Sequence, residues 1–144
     1  MSAWSADLDA PYQHAPGLAA RAFLEALRDR GALLASVCAR CQVRRLPPQA
    51  FCEACFEPAA AYGEAGPVGE LGLVTVLRRD PQGAPLEPPE VRALVRFPGV
   101  EGGLLHRVAM EPARAVPGLR VRPLLALPEE RRGSILDILG FVPA

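Results

Sequence analysis

The segment CARCQVRRLPPQAFCEAC, residues 38–55, holds all four cysteines of this 144-residue chain. They form two Cys-x2-Cys pairs, Cys38 with Cys41 and Cys52 with Cys55, ten residues apart. Each pair turns tightly enough to aim both sulfurs at one point, and two such knuckles facing each other complete a tetrahedron of thiolates. The residues between them, QVRRLPPQAF, can run out and back as a short ribbon, with Pro48 holding Pro47 extended at the bend. So small a segment cannot bury enough apolar surface to hold itself together. Metal binding would supply its folding free energy, on the order of 10 kcal/mol in comparable peptides. A catalytic zinc keeps one position open, whereas four thiolates close the shell, so the ion expected at Cys38, Cys41, Cys52 and Cys55 is a structural zinc. The ligand set alone also suits a single iron. Either way, no cysteine remains to act as a nucleophile.

Before the cysteines, residues 1–17 read as an irregular arm. The small and apolar residues Leu18, Ala19, Ala22, Phe23, Ala26 and Leu27 then trace one face of a 3.6-residue period, predicting a helix over 18–30. Arg21, Glu25, Arg28 and Asp29 take the opposite face, and Gly31 suits the position just past the helix end. Leu24 sits among those charges, either as an isolated exposed leucine or as a contact for a partner chain or ligand. After the cysteines, AAAYGEAGPVG (59–69) reads as a connector. From Glu70 onward short β runs alternate with Gly and Pro, predicting strands near 70–79, 91–97, 103–110, 119–127 and 134–142. DPQGAPLEPP (80–89) reads as a long loop and PGVEGG (98–103) as a turn. Val91, Ala93, Val95 and Phe97 alternate with Arg92, Leu94 and Arg96; Leu119, Val121, Leu125 and Leu127 share a face opposite Arg120 and Arg122. This pattern suits antiparallel strands with one buried side. The expected fold is mainly β: an N-terminal arm and helix (1–35), a rubredoxin-like zinc ribbon (36–62) and a five-stranded OB-fold barrel (66–144).

Sixteen basic residues balance sixteen acidic ones, and every basic residue is arginine. A Schiff-base lysine and a P-loop lysine are therefore excluded. Zero net charge argues against a chain built to grip nucleic-acid backbone, whose affinity comes from clustered positive charge. No run approaches the ~20 apolar residues of a membrane span, and MSAWSADLDAPYQHAPG lacks the pattern of a secretion signal, so a cytoplasmic location is expected. In that reducing compartment, clustered cysteines point to metal rather than disulfides. The remaining candidate chemistry is thin. His106 shares a strand face with Leu104 and Val108, as a core or rim histidine satisfied by hydrogen bonds. His14 lies in the arm, Ser134 has no partner assignable by spacing, and Glu129-Glu130-Arg131-Arg132 reads as an exposed charged turn.

The order of a helix, Cys-x2-Cys, a Pro-Pro bend, Cys-x2-Cys and a five-stranded barrel resembles the zinc-ribbon/OB-fold proteins associated with thiolases. That family was once catalogued only as a domain of unknown function. FLEALRDRGALLASVCARC, LPPQAFCEAC, GELGLVTVLRRDPQG, RALVRF, PGLRVRPLLA and the ending GFVP carry the likeness. The resemblance implies a non-catalytic accessory subunit of lipid metabolism that binds or channels a CoA thioester. Its partner would be a thiolase or related acyl-CoA enzyme: an HMG-CoA-synthase-like enzyme, an acyl-CoA aldolase or an enoyl-CoA hydratase. Such a partner would supply the nucleophile that this chain lacks. CoA carries phosphates, which arginine suits, so Arg44, Arg45, Arg78 and Arg79 become candidate contacts. Where the family often has an arginine after the paired prolines, this chain has Gln49. A nucleic-acid-binding ribbon/OB module is the competing expectation, for which the barrel strands offer only Phe97 and Phe141 as stacking platforms. An electron carrier of the rubredoxin kind is a third.

Overall fold

The computed structural model describes residues 15–144, so His14 and most of the expected arm lie outside the described residues. Helix α1, Leu18–Arg30, buries Ala19, Phe23, Ala26 and Leu27, four of the six residues of the expected face. It stops where Gly31 turns left-handed (φ 65°), its N–H reaching the carbonyl of Leu27 while the N–H of Ala32 reaches that of Ala26. Glycine suits this position by its torsion, and a Cβ there would also displace the Arg131 guanidinium.

The chain then builds a four-stranded sheet. β1 (Leu34–Cys38) and β2 (Arg44–Leu46) carry it into and out of the first knuckle, and β3 (Ala59–Glu64) returns after the second. β3 pairs antiparallel along β1 from Leu34↔Glu64 to Cys38↔Ala59. The stretch 59–64 is thus a strand, not the expected connector. Alanine and glycine carry little β preference, so the signal lay in the partner rather than in the segment.

β4 (Gly69–Arg79), β5 (Pro85–Arg96), β7 (Leu104–Val108), β8 (Arg120–Leu125) and β9 (Ile138–Pro143) close into a barrel of order β4-β5-β7-β9-β8. Counted along the chain, these are strands one, two, three, five and four, the third and fifth running parallel, which is the OB arrangement. The alternation in β5 holds: Val91, Ala93, Val95 and Phe97 are buried in the barrel core. Several expected boundaries shift. The 80–89 loop shrinks to a turn at 80–84, in which the Asp80 carboxylate accepts the N–H groups of Gln82 and Ala84, and residues 85–90 continue as strand. The last strand begins at Ile138 because Ile135–Asp137 form a 3-10 turn capped by Ser134. Leu127 is exposed rather than sharing the buried face, since β8 ends at Leu125.

β6 (Glu101–Gly102) joins the two sheets, leaving the barrel's turn to pair parallel with Arg45 and Leu46 of β2. One apolar core accordingly runs from Phe23 and Leu27 of α1 through Leu34 and Leu46 to Val95, Val121 and Phe141 of the barrel. Among the described residues, no helix is long and apolar enough to cross a membrane.

Candidate metal centre

β1 delivers Cys38 to the first knuckle. The second knuckle repeats the first bond for bond. The N–H of Gln42 reaches the Cys38 carbonyl at 3.1 Å and that of Phe56 reaches the Cys52 carbonyl at 2.8 Å. The N–H groups of Cys38 and Cys52 in turn reach the carbonyls of Val43 (3.0 Å) and Glu57 (2.8 Å). Both turns close through a left-handed residue, Gln42 and Phe56, each at φ 58°. Glycine would take that position freely, whereas a side chain costs roughly 1–2 kcal/mol.

The four sulfurs lie within 4.8 Å of one another. Cys38 to Cys55 is 3.4 Å, Cys41 to Cys52 is 3.5 Å and Cys55 to Cys41 is 3.8 Å. Disulfide-bonded sulfurs would stand about 2.05 Å apart. A tetrahedron with metal–sulfur distances of about 2.3 Å has sulfur–sulfur edges of about 3.8 Å, so the cage fits a tetrahedral ion. Knuckle backbone N–H groups also favour the charged form of the first cysteine in each pair. Those of Cys41 and Arg40 bring Cys38 down to about 6, and those of Cys55 and Ala54 lower Cys52. At Cys41 and Cys55 the backbone donors from Val43 and Glu57 are outweighed by the neighbouring sulfurs and by burial, which push Cys55 up to about 12. Metal ligation requires thiolates, so an ion bound in the cage would be held by the four deprotonated sulfurs. Cys38, Cys41, Cys52 and Cys55 would hold such an ion, which would cross-link the two knuckles.

The four candidate arginines are not brought together. Arg45 bridges the ribbon and the barrel, its guanidinium reaching Glu53 at 2.6 Å and Glu101 at 2.7 Å. Gln49, at the position of the family's arginine, donates to the same Glu53 at 2.6 Å. Arg44 donates to the carbonyl of Glu64. Arg78 and Arg79 stand exposed at the far end of the β4–β5 hairpin, up to roughly 30 Å along β4 from the junction. Arg79 donates there to the carbonyl of Gly83 at 2.8 Å.

Other candidate residues have structural surroundings. His106 lies edge-on to Phe141, ring centroids 6.0 Å apart, and burial lowers its pKa. Among the described residues no group reaches its Nδ1, contrary to the expectation of a histidine satisfied by hydrogen bonds. Ser134 accepts from the N–H of Leu136. Arg131 is half-buried and donates to the carbonyl of Ala126 at 2.9 Å, so the charged turn is anchored rather than simply exposed. Asp137 gave no signal in the sequence, yet it is buried and accepts the N–H groups of Arg132, Gly133 and Ser134. Burial would raise its pKa, but those three donors outweigh it and hold the carboxylate below its usual value. Leu24 is half-buried against the core, not exposed. Phe97 and Phe141, the barrel's would-be stacking platforms, face each other in the interior with centroids 6.5 Å apart.

Residues 26–59 match the family model described as the ChsH2 rubredoxin-like zinc ribbon domain. No curated protein matches the chain. Among solved structures, it is similar to a DUF35-family protein of unknown function from Sulfolobus solfataricus: 28% identity, TM-score 0.66, covering 75% of this chain and 78% of that one. It is also similar to a chain of the Ltp2–ChsH2(DUF35) aldolase: 26% identity, TM-score 0.63, covering 91% of this chain and 98% of that one. The chain thus carries the ChsH2-type rubredoxin-like zinc ribbon within the fold of the DUF35 proteins.

Proposed function

We propose that this chain is a non-catalytic accessory subunit that binds or channels an acyl-CoA and assembles with a thiolase-superfamily enzyme, its ribbon held by a structural zinc. The observation that carries this reading is the likeness over nearly its whole length to a chain of the Ltp2–ChsH2 aldolase. The cysteine cage supports it. Acyl transfer by a thiolase needs a free thiolate, and the four thiols here converge on one another at metal-ligand spacing. The interior placement of Phe97 and Phe141 leaves the barrel strands without the aromatic platforms that single-stranded nucleic acid needs.

The test is affinity purification of the tagged protein from its native host under mild salt, followed by identification of what stays bound. A thiolase-superfamily or other acyl-CoA enzyme in stoichiometric amount is the expected result, with one zinc per chain by elemental analysis. Retained nucleic acid, released steeply by salt, would replace this reading with a nucleic-acid module. A coloured, iron-containing sample would replace it with an electron carrier.

A further inference from the structure

The outer wall of the barrel carries a pattern that neither the ribbon nor the core accounts for. Strand register stacks its outward-facing residues into rows that cross β8, β4, β5 and β7. Arg120, Glu70 and Arg96 form one row. Leu73, Leu94 and Leu105 form the next: the bulge between Leu71 and Val74 sets Gly72 and Leu73 opposite Leu94, whose other partner is Leu105. Thr75, Arg92 and Arg107 form the third. Leu73 is 70% exposed and Leu105 72%, so an apolar stripe runs over three strands between two rows that carry arginine. A leucine exposed singly needs no explanation, whereas a contiguous stripe marks an interaction site.

The arginines beside the stripe are set in place without anions of their own. The stem of Arg96 lies over Gly72 and that of Arg107 over Gly140, in each case with a side-chain atom 3.2 Å from where the glycine's Cβ would stand. Arg92 pairs with Glu90 at 2.6 Å, whereas Arg96, Arg107 and Arg120 make no side-chain hydrogen bond or ion pair among the described residues. Arg92 and Arg107 are also direct cross-strand partners, a like-charge pairing that destabilises a sheet unless something anionic covers it. Four guanidinium groups here face only the carboxylates of Glu70 and Glu90, although the chain as a whole is neutral.

The occupant that answers this pattern is apolar along its middle and acidic along its flanks. It cannot add as a strand, because β4, β5 and β7 each have a neighbour on both sides in the closed barrel. Strands stand about 4.8 Å apart, so the three leucines span about 10 Å, close to the ~10.5 Å from i to i+7 of a helix. The flanking rows lie about 7 Å to either side, within reach of acidic side chains on a helix about 10–12 Å across. The second and third strands are where OB barrels hold oligonucleotides, but these rows offer no aromatic ring for a base to stack on. A second copy presenting the same face would set arginine against arginine. Its α1 is no better suited, since it buries its own apolar side and exposes Arg21, Arg28 and Arg30.

We propose that the outer face of β4, β5 and β7 docks an acidic amphipathic helix of another protein. Apolar residues at i, i+3 or i+4, and i+7 of that helix lie on Leu73, Leu94 and Leu105, and its carboxylates meet Arg96 and Arg107. The protein that carries the helix is defined by this chemistry alone and does not depend on the function proposed above.

The test places p-benzoylphenylalanine at position 105 of the full chain, irradiates it in the native host and sequences the cross-linked peptide by mass spectrometry. Position 82, exposed in the β4–β5 turn, serves as the control. The expected peptide belongs to another protein, has apolar residues at helical spacing and holds more Asp and Glu than Lys and Arg. Made synthetically, it should bind the purified protein in fluorescence anisotropy, gain helical circular dichroism on binding and lose affinity as salt is added. Arg107→Glu should weaken it about tenfold, and Leu105→Asp or Leu73→Asp by about as much, with Tm unchanged because all three side chains are exposed. A cross-link to nucleic acid, to lipid, to a second copy of the chain or to a basic or non-helical segment overturns the proposal. Labelling no stronger than from position 82 overturns it too, as does peptide binding indifferent to Arg107→Glu and to both leucine changes. A helix from a protein foreign to acyl-CoA chemistry upholds the docking face while counting against the function proposed above, so the two fail separately.

Discussion

Replacing Gly102 by alanine should uncouple the ribbon from the barrel. Gly102 has φ 82°, and a Cβ built there lies 2.2 Å from the carbonyl oxygen of Leu46. A left-handed alanine costs roughly 1–2 kcal/mol. The overlap cannot be relieved by a rotamer change, because the obstacle is backbone, so β6 must withdraw from β2. That withdrawal sacrifices the 2.8 Å bond from the Gly103 N–H to Leu46, worth about 1 kcal/mol. Disturbed packing around the buried Leu46 adds about 1–3 kcal/mol. The sum is about 4 kcal/mol. With about 2.1 cal/mol/K of unfolding entropy per residue, that lowers the Tm of this chain by about 13 °C. Gly99→Ala is the matched control: it has φ 67° with nothing within 4 Å of its would-be Cβ, so it meets only the torsional cost. Both variants would be followed by circular dichroism on heating, with bound metal counted separately using a chromogenic chelator. The expected result is a gap of about 3 kcal/mol between them, with the metal retained in both. If Gly102→Ala is no more damaging than Gly99→Ala, the β2–β6 junction does not hold the two parts together.

Cys52→Ser should remove tight metal binding, because three thiolates leave an open shell, and elemental analysis of the purified variant should show well under one ion per chain. Phe56→Gly should stabilise the second knuckle by up to about 1 kcal/mol by removing a left-handed side chain that is 82% exposed, read as slower metal loss to a chelator. Asp137→Ala should cost about 3 kcal/mol in denaturant unfolding, since three backbone donors lose a charged acceptor. His106 titrates below its ordinary value in the folded protein, so it takes up a proton more readily when unfolded. Its stabilising effect is therefore complete above about pH 6.5 and is lost as the pH falls from there through the lowered folded value, by at most about 1.4 kcal/mol per pH unit. His106→Leu should flatten the pH dependence of stability in that window relative to the unaltered protein; identical profiles would refute the assignment.

Features encoded by residues close together in the chain were open to a reader of the sequence alone. The spacing of Cys38, Cys41, Cys52 and Cys55 specifies the cage, because each pair closes within a single turn. The helix could be bounded from its apolar face and Gly31, and the core of β5 from its alternation, since both periods are local consequences of backbone geometry. What depended on segments distant in the chain was not legible. β3 is a strand because β1 lies beside it, and Glu101 and Gly102 form one because Arg45 and Leu46 do. Arg45 became a bridge, rather than a free cation, only when folding set Glu53 and Glu101 on either side of it. Leu24 looked misplaced among charges on a helical wheel. Its apolar surroundings come from Pro47, Leu104 and Ile135, residues 23 to 111 positions further along the chain, which only the tertiary fold gathers.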